Sequence, residues 1–143
     1  MIKVKIKRIR EEAIMPKQAY QHDAAFDLYS AEEVMLKPLD RKAIKTGLVF
    51  ELPENCHAEV RPRSGLALKH GITVLNSPGT IDAGYRGELL VLLTNLSRED
   101  FLVSKGERIA QVLFSKVNTV SFEEVDEVTE THRGEKGIGS SGR

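Results

Sequence analysis

Apolar and polar residues alternate along this chain in short runs, and turn formers end each run before a long helix could form. The alternation recurs over residues 2–8, 43–51, 57–61 and 108–117. A period of two places every second side chain on one face of an extended chain, so each run reads as a half-buried strand. Leu89-Leu90-Val91-Leu92-Leu93 is a continuous apolar run of strand length. Such a strand is buried on both faces, or on one of them against another subunit. Leu52-Pro53-Glu54-Asn55, Asn76-Ser77-Pro78-Gly79 and Leu96-Ser97-Arg98-Glu99-Asp100 supply the turns. Many short strands with frequent turns predict an all-β protein: a sandwich, a barrel or a jelly roll. One short helix is expected over residues 65–70, with Ser64 as its N-cap and Gly71 as its stop.

A chain of 143 residues is long enough for one domain with its own core. The 21 Lys and Arg balance the 21 Asp and Glu, so no basic surplus points to nucleic acid. Cys56 is the only cysteine, which forbids an intrachain disulfide and fits a reducing, cytoplasmic setting. The start, Met1-Ile2-Lys3-Val4-Lys5-Ile6-Lys7-Arg8, reads as a strand, because a signal peptide needs an unbroken apolar run. No membrane span is expected. The domain proper is placed at residues 1–129. Residues 130–143 form a flexible tail that ends in Gly137-Ile138-Gly139-Ser140-Ser141-Gly142-Arg143 and has little to bury.

Several segments carry possible chemistry. Gly79-Thr80-Ile81-Asp82-Ala83-Gly84-Tyr85-Arg86-Gly87-Glu88 reads as a hairpin with Ala83-Gly84 at its turn. Asp82 and Tyr85 flank that tip, where a carboxylate could accept a proton and an aromatic could cover a small ring. An ordinary hairpin with a turn-forming Asp and a rim Tyr is the alternative. Arg61-Pro62-Arg63-Ser64-Gly65-Leu66-Ala67 puts arginines before a helix start, which suits phosphate as well as a plain cap. Asp27 lies among apolar residues on a strand, and faces either a metal–phosphate group or solvent. Gln111, in an apolar strand, is either a satisfied core amide or a phosphate ligand. The Gly/Ser tail with Arg133 is either disordered or an anion clamp built from backbone N–H groups and hydroxyls.

Taken in order, residues 25–31, 62–67, 79–88, 106–113 and 133–142 resemble the five motifs of the trimeric deoxyuridine triphosphate nucleotidohydrolases, the dUTPases. The motifs spread over almost the whole chain. The most specific are Pro62-Arg63-Ser64-Gly65-Leu66-Ala67 and Ile81-Asp82-Ala83-Gly84-Tyr85-Arg86-Gly87-Glu88. The resemblance implies a jelly-roll or distorted β-barrel homotrimer, with three active sites each assembled from several subunits. It implies hydrolysis of dUTP to dUMP and pyrophosphate by in-line attack of water on the α-phosphorus, with Mg2+. That activity limits uracil incorporation into DNA and supplies dUMP for thymidylate synthesis.

Roles follow from the same resemblance. Asp82 would orient and deprotonate the water and meet the sugar 3′-hydroxyl. Tyr85 would pack under the deoxyribose. Asn76 would read uracil and help hold the water, and the hairpin backbone from Gly79 through Thr80 and Ile81 to Tyr85 would read the rest of the base edge. Arg63, Ser64, Gly65 and Gln111 would hold phosphate, with Gln111 near the α-phosphate. Asp27 would meet the magnesium through water. Arg133, Gly139, Ser140 and Ser141 would close over the γ-phosphate. The family's usual Gly-Gly-Phe is Lys136-Gly137-Ile138 here, so Ile138 offers an apolar lid without an aromatic face. A deoxycytidine triphosphate deaminase shares the fold, but Tyr85 and residues 62–67 argue against it. A non-catalytic nucleotide sensor or structural jelly roll would be free to lose Asp82, Gln111 or Arg133, and all three are present.

Overall fold

Why the alternating runs become separate short strands is clearest at residues 43–51, which read as one strand and form two. Gly47 adopts a left-handed φ of 71°. A Cβ at this position would also come within 2.7 Å of the Ala13 Cβ. Backbone conformation and close approach together require glycine there, and the strand stops. The computed structural model describes residues 1–142, and Arg143, the last residue of the expected tail, lies outside them.

In chain order the elements are β1 (Lys5–Arg8), β2 (Phe26–Tyr29), β3 (Val34–Leu36), β4 (Arg41–Lys45), β5 (Leu48–Glu51) and β6 (Cys56–Arg61). Then follow α1 (Ser64–His70), β7 (Ile72–Val74), β8 (Gly79–Ile81), β9 (Leu90–Asn95), β10 (Phe101–Val103) and β11 (Arg108–Lys116). The larger sheets have strand orders β2-β11-β6-β8 and β4-β9-β7, and β1-β5 and β3-β10 form ribbons. All these pairings are antiparallel. Inward residues of both sheets, including Leu28, Ile44, Val60, Leu93, Ile109 and Val112, share one buried core. Among the described residues no helix is long and apolar enough to cross a membrane.

The sheet β2-β11-β6-β8 gathers the candidate chemistry. Its register sets Gln111 opposite both Asp27 and Arg61. β6 then runs through Pro62 into α1, which delivers Arg63 and Ser64 beside Gln111. β8 pairs with β6 through Val60–Gly79, Glu59–Thr80 and Ala58–Ile81. β8 is the terminal strand of this sheet, so its other edge keeps backbone donors and acceptors free of a ladder.

Two expectations are corrected here. The N-cap of α1 is Arg63, with φ −92° and ψ 129°, and no side chain caps the helix. Ser64 is therefore the first helical residue, and its hydroxyl is not used as a cap. Gly71 does end the helix, in left-handed geometry at φ 65°. The hairpin expected over residues 79–88 has only one strand, β8. Beyond its turn the chain runs without regular structure to Leu90, because the ladder partners of β9 are β4 and β7. Exposure extends N-terminal of the tail, from Val117 onward. No strand or helix follows Lys116 among the described residues, and residues 117–142 are exposed throughout. The Val117 N–H still binds the Asn55 carbonyl at 2.8 Å.

The apolar run in β9 divides as alternation requires. Val91 and Leu93 are fully buried, whereas Leu90 and Leu92 face outward and are 39% and 36% exposed.

Candidate active site

The candidate residues fall into two clefts. The larger, of about 450 Å3, is lined by Asp27, Arg63, Ser64, Gly65, Arg108 and Gln111, with Arg61 at its side. Asp27 organises it. One carboxylate oxygen lies 3.2 Å from Arg63 Nε, and the other lies 3.2 Å from Arg108 Nη1. Arg63 also donates from Nη1 to the Arg108 carbonyl at 3.0 Å. Two guanidinium groups are thus fixed at the wall before any ligand arrives, and an arginine fork matches phosphate oxygens. Gln111 donates from Nε2 to the Pro62 carbonyl at 2.8 Å, which turns its amide toward the cleft.

Arg108 escaped the reading of the sequence for a definite reason. It lies three positions before Gln111, and an odd offset puts two side chains on opposite faces of a regular strand. The β2–β11 register shifts between Arg108 and Ala110. This bulge restores both side chains to the same cleft. No turn residue marks the bulge in the sequence.

The smaller cleft, of about 220 Å3, is lined by Asn76, Thr80, Ile81, Asp82 and Tyr85, with Leu90 and Leu92 beside them. The tip closes through a bond from the Tyr85 N–H to the Asp82 carbonyl at 3.1 Å. Glycine's freedom to take a left-handed φ would favour Gly84 in a turn, but Gly84 does not adopt one here. Arg86 clips the tip from outside, donating to the carbonyls of Ala83 and Tyr85 at 2.6 and 2.9 Å. Asn76 packs against Gly79, where a Cβ would lie 3.0 Å from the Asn76 amide nitrogen. The Tyr85 hydroxyl donates to the Glu88 carbonyl at 2.9 Å. Its ring lies over Gly87, where a Cβ would stand 2.5 Å from Tyr85 Cζ. Asp82 itself is exposed.

Glu88 is a second residue with no role assigned from sequence. Its carboxylate receives both Nε and Nη2 of Arg10, at 2.9 and 3.2 Å, and the Gly47 N–H at 2.9 Å. The hydrogen bond from Arg10 is the main reason its carboxyl is held below the ordinary glutamate range; partial burial opposes the shift, and the Gly47 N–H assists it. A carboxyl lowered on folding stabilises the fold above its unfolded pKa, and that contribution is lost as pH falls through the folded value.

The two clefts share no lining residue. The tail residues Arg133, Ile138, Gly139, Ser140 and Ser141 line neither of them. Their surroundings are local turns: Lys136 N–H to the Arg133 carbonyl, Ser140 N–H to the Gly137 carbonyl, and Arg133 Nε to the Lys136 carbonyl at 2.9 Å. Among the described residues no group of three or more His, Cys, Asp or Glu could hold a metal ion directly.

Residues 11–142 match the family model described as dUTPase. The chain is 54% identical over 141 residues to the deoxyuridine 5′-triphosphate nucleotidohydrolase of Clostridium novyi (strain NT), covering 99% of both chains. It is 56% identical over 137 residues to the enzyme of the same name from Clostridium kluyveri, covering 96% of each. Its fold matches the dUTPase of Staphylococcus bacteriophage 80alpha, solved with dUPNHPP, at a TM-score of 0.92 and 30% identity over 99% of both chains. An all-β jelly roll, an ordered set of five motifs and relatives matched end to end lead to one conclusion: the chain belongs to the dUTPase family.

Proposed function

We propose that this chain hydrolyses dUTP to dUMP and pyrophosphate, and so limits uracil in DNA and supplies dUMP for thymidylate synthesis in the cytoplasm. The observation that carries the reading is the pair of clefts with complementary chemistry. One is walled by arginines and suits a triphosphate. The other sets an amide, a carboxylate and an aromatic beside a free strand edge, and suits a deoxynucleoside.

The free edge of β8, at Gly79, Thr80 and Ile81, pairs with the polar edge of uracil, and Asn76 completes the reading. Cytosine exchanges a carbonyl for an amine on that edge and would strand buried polar groups, at about 1–3 kcal/mol each. The Tyr85 ring lies under the deoxyribose, where a 2′-hydroxyl would collide with it. Asp82 accepts a proton from the attacking water and meets the 3′-hydroxyl, while Asn76 helps hold that water. Arg63, Ser64, Gly65 and Gln111 hold the phosphates, with Gln111 closest to the α-phosphorus. Phosphoryl transfer asks the protein for position and charge more than for covalent chemistry. The tail then closes over the γ-phosphate through Arg133, Gly139, Ser140 and Ser141, with Ile138 as an apolar lid over the base.

The residues present fit Mg2+ carried in on the phosphates. The larger cleft offers the Asp27 carboxylate among arginines, which suits a hydrated ion met through its waters and gives no cage for direct ligation. When bound, Mg2+ supplies neutralisation of phosphate charge. The two arginines already on Asp27 leave lone pairs for those waters, since a carboxylate has about four acceptor positions.

Because the two clefts of one chain are separate, we place the working site between copies, in a homotrimer. One copy supplies the arginine cleft, another the β8 edge, and a tail closes over both. The outward Leu90 and Leu92, with Leu75 nearby, supply apolar surface beside the smaller cleft for a second copy to cover. Residues 1–129 form the enzyme body in this reading, and 130–143 its closing tail.

The test is pyrophosphate release by the purified chain with dUTP, dCTP and UTP in the presence of Mg2+. Release from dUTP alone is the expected result. Ammonia from dCTP would mark a deaminase, and binding of dUTP without turnover would mark a sensor.

A further inference from the structure

We propose that Glu88 is a positioning residue for sugar selection. It ties the loop that carries Tyr85 to the body of the domain and so fixes the height of the Tyr85 ring. The inference rests on the proposed packing of Tyr85 beneath the deoxyribose.

The loop after β8 has no ladder of its own, yet it holds an exposed aromatic ring in one place. Three groups of hydrogen bonds account for this. The Glu88 carbonyl accepts from the Tyr85 hydroxyl at 2.9 Å, so the far end of the ring is fixed to residue 88. The Glu88 carboxylate takes a two-pronged bond from Arg10 and a third bond from the Gly47 N–H. The next residue is built into the break between β4 and β5, with the Leu89 N–H on the Leu48 carbonyl at 2.7 Å and Thr46 Oγ1 donating to the Leu89 carbonyl at 2.6 Å. The base of this anchor is itself rigid. Gly47 packs against Arg10 and Ala13 at 3.0 and 2.7 Å from its notional Cβ, and the Ile9 N–H binds the Gly47 carbonyl at 2.8 Å.

The Glu88 side chain is 16% exposed, so this ion pair is only partly screened by solvent. The line from body to ring therefore runs from Arg10 and Gly47 to Glu88, and from Glu88 to the Tyr85 hydroxyl. Excluding a 2′-hydroxyl requires a wall that does not yield, because a ring free to drop would admit a ribonucleotide. A loosened anchor would first cost discrimination between dUTP and UTP. It would cost turnover of dUTP less, because Asp82, Arg63 and Gln111 are not part of it.

The experiment measures kcat/KM for dUTP and UTP, together with thermal stability, in Glu88→Gln, Arg10→Gln, Tyr85→Phe and Tyr85→Ala. Lys5→Gln serves as a control, since it breaks the remote Lys5–Glu51 pair at 2.6 Å. In Glu88→Gln and Arg10→Gln the ratio of dUTP to UTP turnover should fall by about tenfold, through a gain in UTP use. Tyr85→Phe removes only the hydroxyl anchor and should shift the ratio in the same direction. Lys5→Gln should leave it unchanged. If Tyr85→Ala discriminates as well as the parent, the assigned role of Tyr85 is wrong. If Tyr85→Ala loses discrimination while Arg10→Gln, Glu88→Gln and Tyr85→Phe keep it at any stability, Glu88 does not position the ring. Should Glu88→Gln fail to fold, Arg10→Gln and Tyr85→Phe decide the matter alone.

Discussion

Asp82→Asn is expected to fold, to bind a non-hydrolysable dUTP analogue with near-parent affinity, and to lose about 10²–10⁴-fold in kcat, the usual scale for removing a general base. The side chain of Asp82 is exposed at the tip of the loop, and the turn is closed by its backbone carbonyl. The substitution therefore leaves the turn bond in place. An amide keeps the size of the carboxylate and part of its hydrogen bonding but cannot take the proton of an attacking water. Binding measured by calorimetry beside steady-state kinetics separates the two effects. Turnover within a few-fold of the parent would remove Asp82 from the role of base.

Removal of residues 130–143 should leave folding and assembly intact and lower turnover by about 10²-fold, the scale of a misplaced reacting group. Residues 117–142 are exposed, and the hydrogen bonds over 131–142 close local turns, so the body loses no core contact. What is lost is the clamp of Arg133, Ser140 and Ser141 on the triphosphate. Ile138→Ala should cost less than the truncation. Ile138→Phe should be neutral or favourable, since an aromatic adds about 0.5–1.5 kcal/mol of stacking. Mixing the truncated chain with Asp82→Asn should restore part of the activity, because some sites then combine an intact tail with an intact Asp82 from different copies. A truncated chain as active as the parent, by the same kinetic assay, would show that the tail takes no part.

The difference between what the sequence revealed and what it hid follows from the range of each interaction. The runs that became β1, β6 and β11 were legible because a period of two is local, and β9 was legible as a continuous apolar run of strand length. Gly71 was legible as a helix stop because left-handed caps strongly favour glycine. Asp27, Arg63, Ser64 and Gln111 were legible as separate candidates, and the structure brings them to one cleft through the register of a single sheet. Gly47 was missed as a strand break because its necessity comes from Ala13, distant in sequence. Arg108 was hidden by a bulge that no turn former announces. Glu88 was hidden because its partners, Arg10 and Gly47, are 78 and 41 residues away. The division into two clefts was also out of reach, since alternation says which face a residue takes but not how far apart two loops end.

The central claim is hydrolysis of dUTP at the α-phosphorus, and the position of the solvent oxygen reports it directly. The full chain is incubated with dUTP and Mg2+ in water enriched in oxygen-18, and both products are examined by mass spectrometry. Attack at the α-phosphorus with departure of pyrophosphate places the label in dUMP and leaves the pyrophosphate unlabelled. Label in pyrophosphate with none in dUMP would place the attack on the β-phosphorus and contradict the account.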